Sequence, residues 1–173
     1  MDVSVRDATP EDAPGIAAVH TRTWQHAYAH IFPAEQLASI REGRRAEGWT
    51  RHLRESPAAS HTFVADGPDG VVGFASVGPA REESEPVGEL YSIYVLPEAS
   101  GRGVGRALMA EILSRLRGED FDEAILWVLE DNPRTHRFYE ANGWRADGAV
   151  KDETMLGTPV RELRYRISLR PSR

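Results

Sequence analysis

Residues 90–106 read LYSIYVLPEASGRGVGR, a run that predicts a strand, a glycine-rich turn and the start of a helix. The strand is predicted over 87–96, and the helix over 104–117 carries an apolar stripe at four-residue spacing. Glycines let the backbone approach a ligand closely, and the first N–H groups of a helix lie unpaired at the positive end of its dipole. The turn therefore predicts a pyrophosphate site, with Arg102 and Arg106 as additional donors.

The glycine spacing excludes two other kinds of phosphate-binding loop. A dinucleotide-binding fingerprint has the pattern GxGxxG, and Arg106 occupies the position of its last glycine. A P-loop requires Gly-Lys followed by Ser or Thr, which this turn lacks. Taken alone, the turn is also compatible with a flexible strand-to-helix connection that binds nothing.

The segments on either side of the turn predict one α/β domain over residues 1–173. Strand patterns predict further strands at 3–5, 62–65, 71–77, 124–129, 144–147 and 162–169. Helical periodicity and cap residues predict helices from Thr9-Pro10 to a break around 28–33, over 34–54, and from Asn132-Pro133 to Asn142-Gly143. The resulting order, β-α-α-β-β-β-α-β-α-β-β, predicts a mixed sheet with helices packed on its faces.

Composition narrows the class of protein. A chain of 173 residues with 40% apolar and 28% charged residues is typical of a single globular domain. It has no cysteine, which excludes disulfides, thiolate zinc sites and cysteine nucleophiles, and no metal is expected. The formal charge of −6 argues against nucleic acid as a partner. No apolar run reaches the ~20 residues of a membrane span and no signal peptide is visible, so we expect no membrane association and a cytoplasmic location.

Two motifs in this chain resemble those of one enzyme family. Residues 90–97, followed by Gly-x-Gly-x-Gly, resemble motif A of the GNAT acetyltransferases, and residues 132–144, NPRTHRFYEANGW, resemble motif B, N-x-x-A-x-x-F-Y-x-x-x-G-F. The motifs lie at the family's usual spacing, and the resemblance covers nearly the whole chain. It implies the GNAT fold, a mixed, mostly antiparallel sheet with helices on both faces. The chain departs from the family pattern at Ser100, usually Gln or Arg, and at Thr135 and Trp144.

The resemblance also implies acetyl-CoA as the cosubstrate and a set of residues that bind it. The turn amides would bind the pyrophosphate, the strand backbone would pair with the pantetheine arm, and N–H groups near Tyr94 and Val95 would face the acetyl carbonyl. The predicted cofactor-binding residues are Ile93, Tyr94, Val95, Gly101, Arg102, Gly103, Val104, Gly105, Arg106 and Asn132. Asn132 is also a good N-cap residue, and its side chain is able to serve both purposes.

Acetyl transfer to an amine needs one group that accepts a proton and one that donates a proton. An alkylammonium of pKa ~10.4 must lose a proton before it attacks, and a thiolate of free pKa ~8.5 departs more easily when protonated. Tyr139 matches the motif B tyrosine that commonly acts as the acid; the alternative is a core aromatic residue. Glu89, an acid inside a strand, is predicted as the base or a substrate contact; the alternative is an exposed strand acid. Competing bases by residue type are His20, His26, His30 and His136.

Acceptor recognition is predicted from aromatic and acidic residues. Trp24 and Tyr28 lie four residues apart at the end of the first predicted helix, where the family lines its acceptor pocket. Their ring faces suit an ammonium; a buried helix stripe is the alternative. Glu82, Glu83 and Glu85 precede the motif A strand and either attract a polyamine or form an ordinary solvated loop.

Together these features predict an acetyl-CoA-dependent N-acetyltransferase. The predicted reaction is direct transfer, in a ternary complex, to the primary amine of a small molecule of polyamine or amino-sugar character. An acyl-enzyme route would need Ser or Thr with a base, and no such motif is visible. The alternatives are acetylation of a protein α-amine or lysine, a CoA-binding sensor that has lost catalysis, and an unrelated α/β protein with a coincidental glycine turn. Homodimers are frequent in the family, which makes a homodimer an open expectation.

Overall fold

The computed structural model describes residues 3–83 and 86–170. The strands are β1 (Ser4–Asp7), β2 (His61–Gly67), β3 (Gly70–Pro79), β4 (Gly88–Val95), β5 (Glu123–Leu129), β6 (Arg145–Met155) and β7 (Thr158–Ser168). The helices are α1 (Ala13–Ala27), α2 (Ala34–Ala38), α3 (Glu42–Glu55), α4 (Val104–Gly118) and α5 (Pro133–Ala141). None of the helices in the described ranges is both long and apolar enough to cross a membrane.

The seven strands form one sheet in the order β1-β2-β3-β4-β5-β7-β6. Every neighbouring pair is antiparallel except β4 and β5, which run parallel. A parallel pair needs a crossover between its strands, and α4 supplies it. The prediction of a mixed, mostly antiparallel sheet is therefore confirmed.

The parallel pair at the centre of the sheet is short. Gly88 pairs with Ala124 and Glu89 pairs with Ile125, and beyond these positions β4 and β5 diverge. On its other edge, β4 stays paired with β3 as far as Val95. The second half of β4 therefore has a strand partner on one side and opens into a gap on the other.

A β-bulge lies at the point where β4 turns away from β5. Ser92 pairs with Ser76 on β3, whereas Leu90 pairs with the next residue, Val77. One residue, Tyr91, is thus extra on β4. A bulge bends its strand and increases the local twist, which accounts for the divergence beginning here.

Helices cover both faces of the sheet, as predicted. A Cβ added to Gly73 on β3 would meet Leu108 and Val104, so α4 packs on that face. The next residue, Phe74, points to the opposite face because side chains alternate along a strand, and its ring lies 5.6 Å from His20 and 5.0 Å from Trp49. The helices α1 and α3 therefore pack on the second face.

Two predicted segments differ from the structure. The helix predicted over 34–54 is two helices, α2 and α3, because Arg41 is extended (φ −96°, ψ 109°) and interrupts them. The order therefore has three helices, not two, between β1 and β2. The last two strands, predicted at 144–147 and 162–169, are eleven residues each and form a hairpin whose turn, Leu156-Gly157, has positive φ. Most residues of β6 are exposed, so this segment lacks the alternation of apolar and polar residues that would predict a strand.

The apolar stripe of α4 generates the first prediction. Ile112 is fully buried, so Ile112→Ala leaves a cavity between α4 and the sheet. We expect the free energy of unfolding to fall by about 2–5 kcal/mol, measured by chemical denaturation. Ser114→Ala on the exposed face of the same helix is the control, with an expected change within about 0.5 kcal/mol. Equal effects of the two substitutions would contradict this packing.

Candidate active site

A cleft of about 950 Å³ opens where β4 and β5 diverge. Its walls come from α1, β4, the residues between β4 and α4, β5, α5, β6 and β7. The cleft is continuous from the first turn of α4 to the β6–β7 hairpin. Most of the residues predicted for the site lie on it, although they come from distant parts of the chain.

The glycine turn, residues 100–106, forms one end of the cleft. Gly101 (φ 77°) and Gly103 (φ 87°) adopt the left-handed conformation, and a Cβ at either would point into open space. Gly103 is the N-cap of α4. Gly105 is required for another reason, because a Cβ there would lie 3.2 Å from the ring of Phe138 on α5. The start of α4 thus presents its free N–H groups to the cleft without side chains in the way.

Some residues of the turn line the cleft and others do not. Gly101, Gly103, Gly105 and Arg106 line the cleft, as does Ser100. In contrast, Arg102 is exposed on the turn and Val104 packs its side chain in the core. Val104 is therefore able to offer a ligand its backbone N–H but not its side chain.

The predicted pantetheine-binding residues lie on the two sides of the gap. Ile93, Tyr94 and Val95 line it from β4, and Asn132 lines it from the end of β5. Asn132 is the N-cap of α5, but its side chain makes no capping hydrogen bond. Its backbone carbonyl accepts hydrogen bonds from the first turn of α5 instead. The amide side chain, which is 8% exposed, is therefore left free on the cleft side.

Tyr139 lies on α5 in the wall of the cleft. Its ring packs near Phe138, Trp144 and Tyr165, so it is a core aromatic residue as well as a cleft residue. Burial, and then the neighbouring Tyr94, raise the pKa of the Tyr139 hydroxyl above its ordinary value. The hydroxyl therefore carries its proton at neutral pH and is available as a hydrogen-bond donor.

Glu89 on β4 is 3% exposed and faces the cleft. Its carboxylate accepts hydrogen bonds from three N–H groups of Arg81, namely the backbone N (3.0 Å), Nη2 (2.5 Å) and Nε (3.4 Å). The alternative of an exposed strand acid does not describe this residue. The Arg81 side chain that holds this carboxylate is itself 65% exposed.

Trp24 on α1 and Tyr28, the residue that follows α1, both line the cleft, with ring centroids 5.0 Å apart. They also pack against a small apolar cluster formed by Phe32, Leu37 and Leu129. The pair thus packs in an apolar cluster and also faces the cleft, while its contact with an acceptor stays a prediction. Burial is the largest cause of the raised pKa of the Tyr28 hydroxyl, followed by Tyr94.

Of the four histidines that compete as bases, two form hydrogen bonds with backbone carbonyls. The rings of His30 and His136 bond to the backbone carbonyls of Asp131 (2.7 Å) and Leu129 (2.9 Å), and His26 is exposed on the cleft rim. His20 is not among the residues that line the cleft. It stacks on Tyr94 at 5.1 Å, between helix and sheet, and burial lowers its pKa to about 3.

The end of the cleft beside the β6–β7 hairpin contains residues that the sequence reasoning missed. They are Arg81, Trp127, Lys151, Glu153, Met155 and Glu162. Three of them, Lys151, Glu153 and Met155, lie on β6 beyond the predicted strand 144–147. Glu162 lies within the strand predicted at 162–169 but was not singled out, and its pairing across the strands would have been the signal. In the acidic loop, Glu82 lies 3.9 Å from Lys151, Glu83 pairs with Arg164, and Glu85 falls outside the described residues.

The comparisons with known proteins agree on one family. The model of the acetyltransferase (GNAT) family matches residues 20–144. An uncharacterized N-acetyltransferase of Bacillus subtilis (strain 168) is 40% identical over 141 residues, which cover 80% of this chain and 78% of the relative. A mycothiol acetyltransferase of Frankia casuarinae is 36% identical over 109 residues, which cover 58% of this chain and 30% of the relative. The structure of an N-acetyltransferase from Thermoplasma acidophilum in complex with coenzyme A shares the fold, with a TM-score of 0.79, 22% identity and coverage of 97% and 99%.

Burial of His20 predicts a pH dependence of stability. The imidazole has a pKa of about 3 when folded and ~6.5 when unfolded, so between these values the unfolded chain binds one more proton. Stability that is present above pH 6.5 is therefore lost as the pH falls, at up to about 1.4 kcal/mol per pH unit. We expect urea denaturation to show a steeper loss between pH 6.5 and 5 for the wild type than for His20→Gln. Parallel pH curves would show that His20 does not titrate in this way.

Proposed function

This chain belongs to the GNAT family of acetyltransferases, which use acetyl-CoA, and we propose that it acetylates the primary amine of a small molecule. The observation that carries the proposal is the shape of the cleft at its acceptor end. There the β6–β7 hairpin packs on α2, where the Thr158 hydroxyl donates to Gln36 Oε1 at 2.7 Å. Met155 and Val160 of the hairpin join the apolar cluster around Phe32. A cleft walled on this side favours a small acceptor over a protein surface.

The glycine turn and the gap between β4 and β5 are suited to hold acetyl-CoA. The backbone N–H groups from Gly101 to Arg106 would bind the pyrophosphate, and the side chains of Arg102 and Arg106 would add charge. The unpaired edge of β4 at Ile93–Val95 would bind the pantetheine arm by strand-like hydrogen bonds, together with the free amide of Asn132. Acetyl-CoA supplies the acetyl thioester at this gap.

Tyr139 is proposed as the proton donor for the departing sulfur. Three observations support this role: the residue lines the cleft, burial keeps its hydroxyl protonated, and α5 fixes its ring among other aromatic rings. A protonated donor held in place lowers the barrier to thiolate departure.

Glu89 is proposed as a carboxylate that contacts the acceptor, with Arg81 as its partner. The pair lies beside Tyr91, whose ring is 4.8 Å from the Arg81 guanidinium. The role of Glu89 as a base stays a prediction, because its carboxylate already accepts three hydrogen bonds from Arg81. Trp24 and Tyr28 are proposed to line the acceptor side, since their faces attract a cation.

A panel of amines tests the function and the acid together. Thiol release from acetyl-CoA is measured with polyamines, amino sugars, amino acids and N-terminal peptides. We expect turnover with a small amine, and we expect Tyr139→Phe to lower kcat roughly 10²-fold with little change in coenzyme affinity. Tyr165→Phe is the matched control, because it removes a nearby hydroxyl that bonds to His136 and Glu140 outside the cleft. Turnover with peptides alone would overturn the small-molecule proposal, and equal kcat values for the two variants would overturn the role of Tyr139.

Another prediction concerns the proposed pyrophosphate site. Gly103→Glu places a carboxylate at a left-handed position on the edge of the cleft, where it strains the turn and repels an anion. We expect coenzyme A binding, measured by calorimetry, to weaken by at least about 10²-fold. Gly118→Glu adds the same charge at the opposite end of α4, at a position with open space, and is expected to bind normally. Unchanged affinity in Gly103→Glu would remove the turn from the binding site.

A further inference from the structure

Three strands bring an ammonium, a carboxylate and an indole together at the acceptor end of the cleft. Glu162 on β7 lies opposite Lys151 on β6 and opposite Leu129 on β5, so these side chains share one face of the sheet. The Nζ of Lys151 lies 3.4 Å from Glu162 Oε2 and 4.4 Å from the centre of the Trp127 ring. An alkylammonium bound by an aromatic face and a carboxylate is thus already present inside the cleft.

The Glu162 carboxylate faces the same interior space as the proposed acid. The residue is 8% exposed and lines the cleft. Its charge is among the causes that raise the pKa of the Tyr28 and Tyr94 hydroxyls, after burial, and Tyr94 in turn acts on the hydroxyl of Tyr139. All four of these residues line the same cleft, so the four groups belong to one region.

The carboxylates of Glu162 and Glu89 have different cationic partners. Three N–H groups of Arg81 hold the Glu89 carboxylate, whereas the cation beside Glu162 is a single ammonium. That ammonium is shared with Glu82 at 3.9 Å and Glu153 at 4.0 Å. Lys151 is therefore able to leave Glu162 for another carboxylate without becoming unpaired.

We propose that Glu162 binds the ammonium of the acceptor, in the place that the Lys151 ammonium occupies on Trp127, and then accepts its proton. The acceptor class that this site recognises is a primary alkylamine that is protonated in solution. The inference rests on the proposed acetyl transfer to an amine and adds the group that receives the proton.

The transfer balances in protons and electrons. The ammonium R–NH₃⁺ gives one proton to the Glu162 carboxylate, and the nitrogen lone pair then attacks the carbonyl carbon of the acetyl thioester. As the C–N bond forms and the C–S bond breaks, the sulfur keeps the bonding pair and takes the proton of the Tyr139 hydroxyl. The second proton of the nitrogen returns through water to Tyr139, and Glu162 releases its proton to solvent. The products are an acetamide, a free thiol and one proton.

The titration of Glu162 depends on groups from several elements. Burial raises the pKa of its carboxyl, Lys151 lowers it, and Glu153 and Arg81 act in opposite directions, the first raising and the second lowering it. The hydroxyls of Tyr28, which follows α1, and Tyr94 on β4 complete the surroundings, and β5 contributes the uncharged Trp127 and Leu129. A carboxylate with a raised pKa is a stronger base at neutral pH than an ordinary glutamate.

The first test compares pH–rate profiles of kcat/KM for thiol release with the amine that the wild type uses. Glu162→Gln should lower kcat/KM by roughly 10²-fold or more and remove the acidic limb, whereas Glu89→Gln should keep that limb. Asp152→Asn is the matched control: it removes a carboxylate from the same hairpin, where Asp152 pairs with Arg161 outside the cleft. An acidic limb that persists in Glu162→Gln and disappears in Glu89→Gln would overturn the inference.

The second test needs no turnover. Lys151 is the only lysine in the chain, so biosynthetic ¹³C-lysine labelling gives one Cε resonance at this site. Titration with n-propylammonium should shift that resonance in a saturable way in the wild type and leave it unchanged in Glu162→Gln. A resonance that does not respond in folded wild-type protein would overturn the inference.

The two tests separate this inference from the function on which it rests. A wild type that releases no thiol with any amine contradicts the proposed function. A wild type that turns over while Glu162→Gln, folded and binding coenzyme A, keeps the wild-type rate and profile contradicts only the role of Glu162.

Discussion

The two parallel strands at the centre of the sheet share only two paired positions, and the rest of the molecule is arranged around their divergence. Buried backbone groups need partners, so an opened strand pair creates a demand for hydrogen bonds that a ligand is able to meet. The bulge at Tyr91 starts the divergence, and the antiparallel strands on both sides keep each wall rigid. The gap is therefore a stable feature of the sheet and does not depend on a mobile loop.

Burial and pairing divide the cleft into two electrostatic halves. At the α4 end, exposed arginines and free backbone N–H groups favour an anion. At the hairpin end, four carboxylates lie within 4.0 Å of the cationic group of Arg81 or Lys151; they belong to Glu82, Glu89, Glu153 and Glu162. Between them lie tyrosine hydroxyls that burial keeps protonated. Such an arrangement suits a reaction between an anionic cosubstrate and a cationic acceptor, because each is attracted to its own end.

The parts of the fold that sequence predicts well are those that local patterns specify. The glycine turn, the stripe of α4 and the start of α5 are contiguous, and their cap and breaker residues mark where they begin. The break between α2 and α3 contains neither glycine nor proline and was missed. Glu162, Lys151 and Trp127 meet only through strand register, and no spacing along the chain indicates it. The contact between Arg81 and Glu89 depends likewise on the pairing of β3 with β4.

The position of Lys151 affects how readily acetyl-CoA acetylates the protein itself without catalysis. Acetyl thioesters acylate free amines without any enzyme, and lysine side chains are the usual targets on a protein surface. Here the other twenty of the 21 basic residues are arginine, whose guanidinium stays protonated and is a poor nucleophile. The single ε-amine lies inside the cleft, 23% exposed and flanked by carboxylates. No other side chain in the sequence carries an alkylamine for acetyl-CoA to modify by accident.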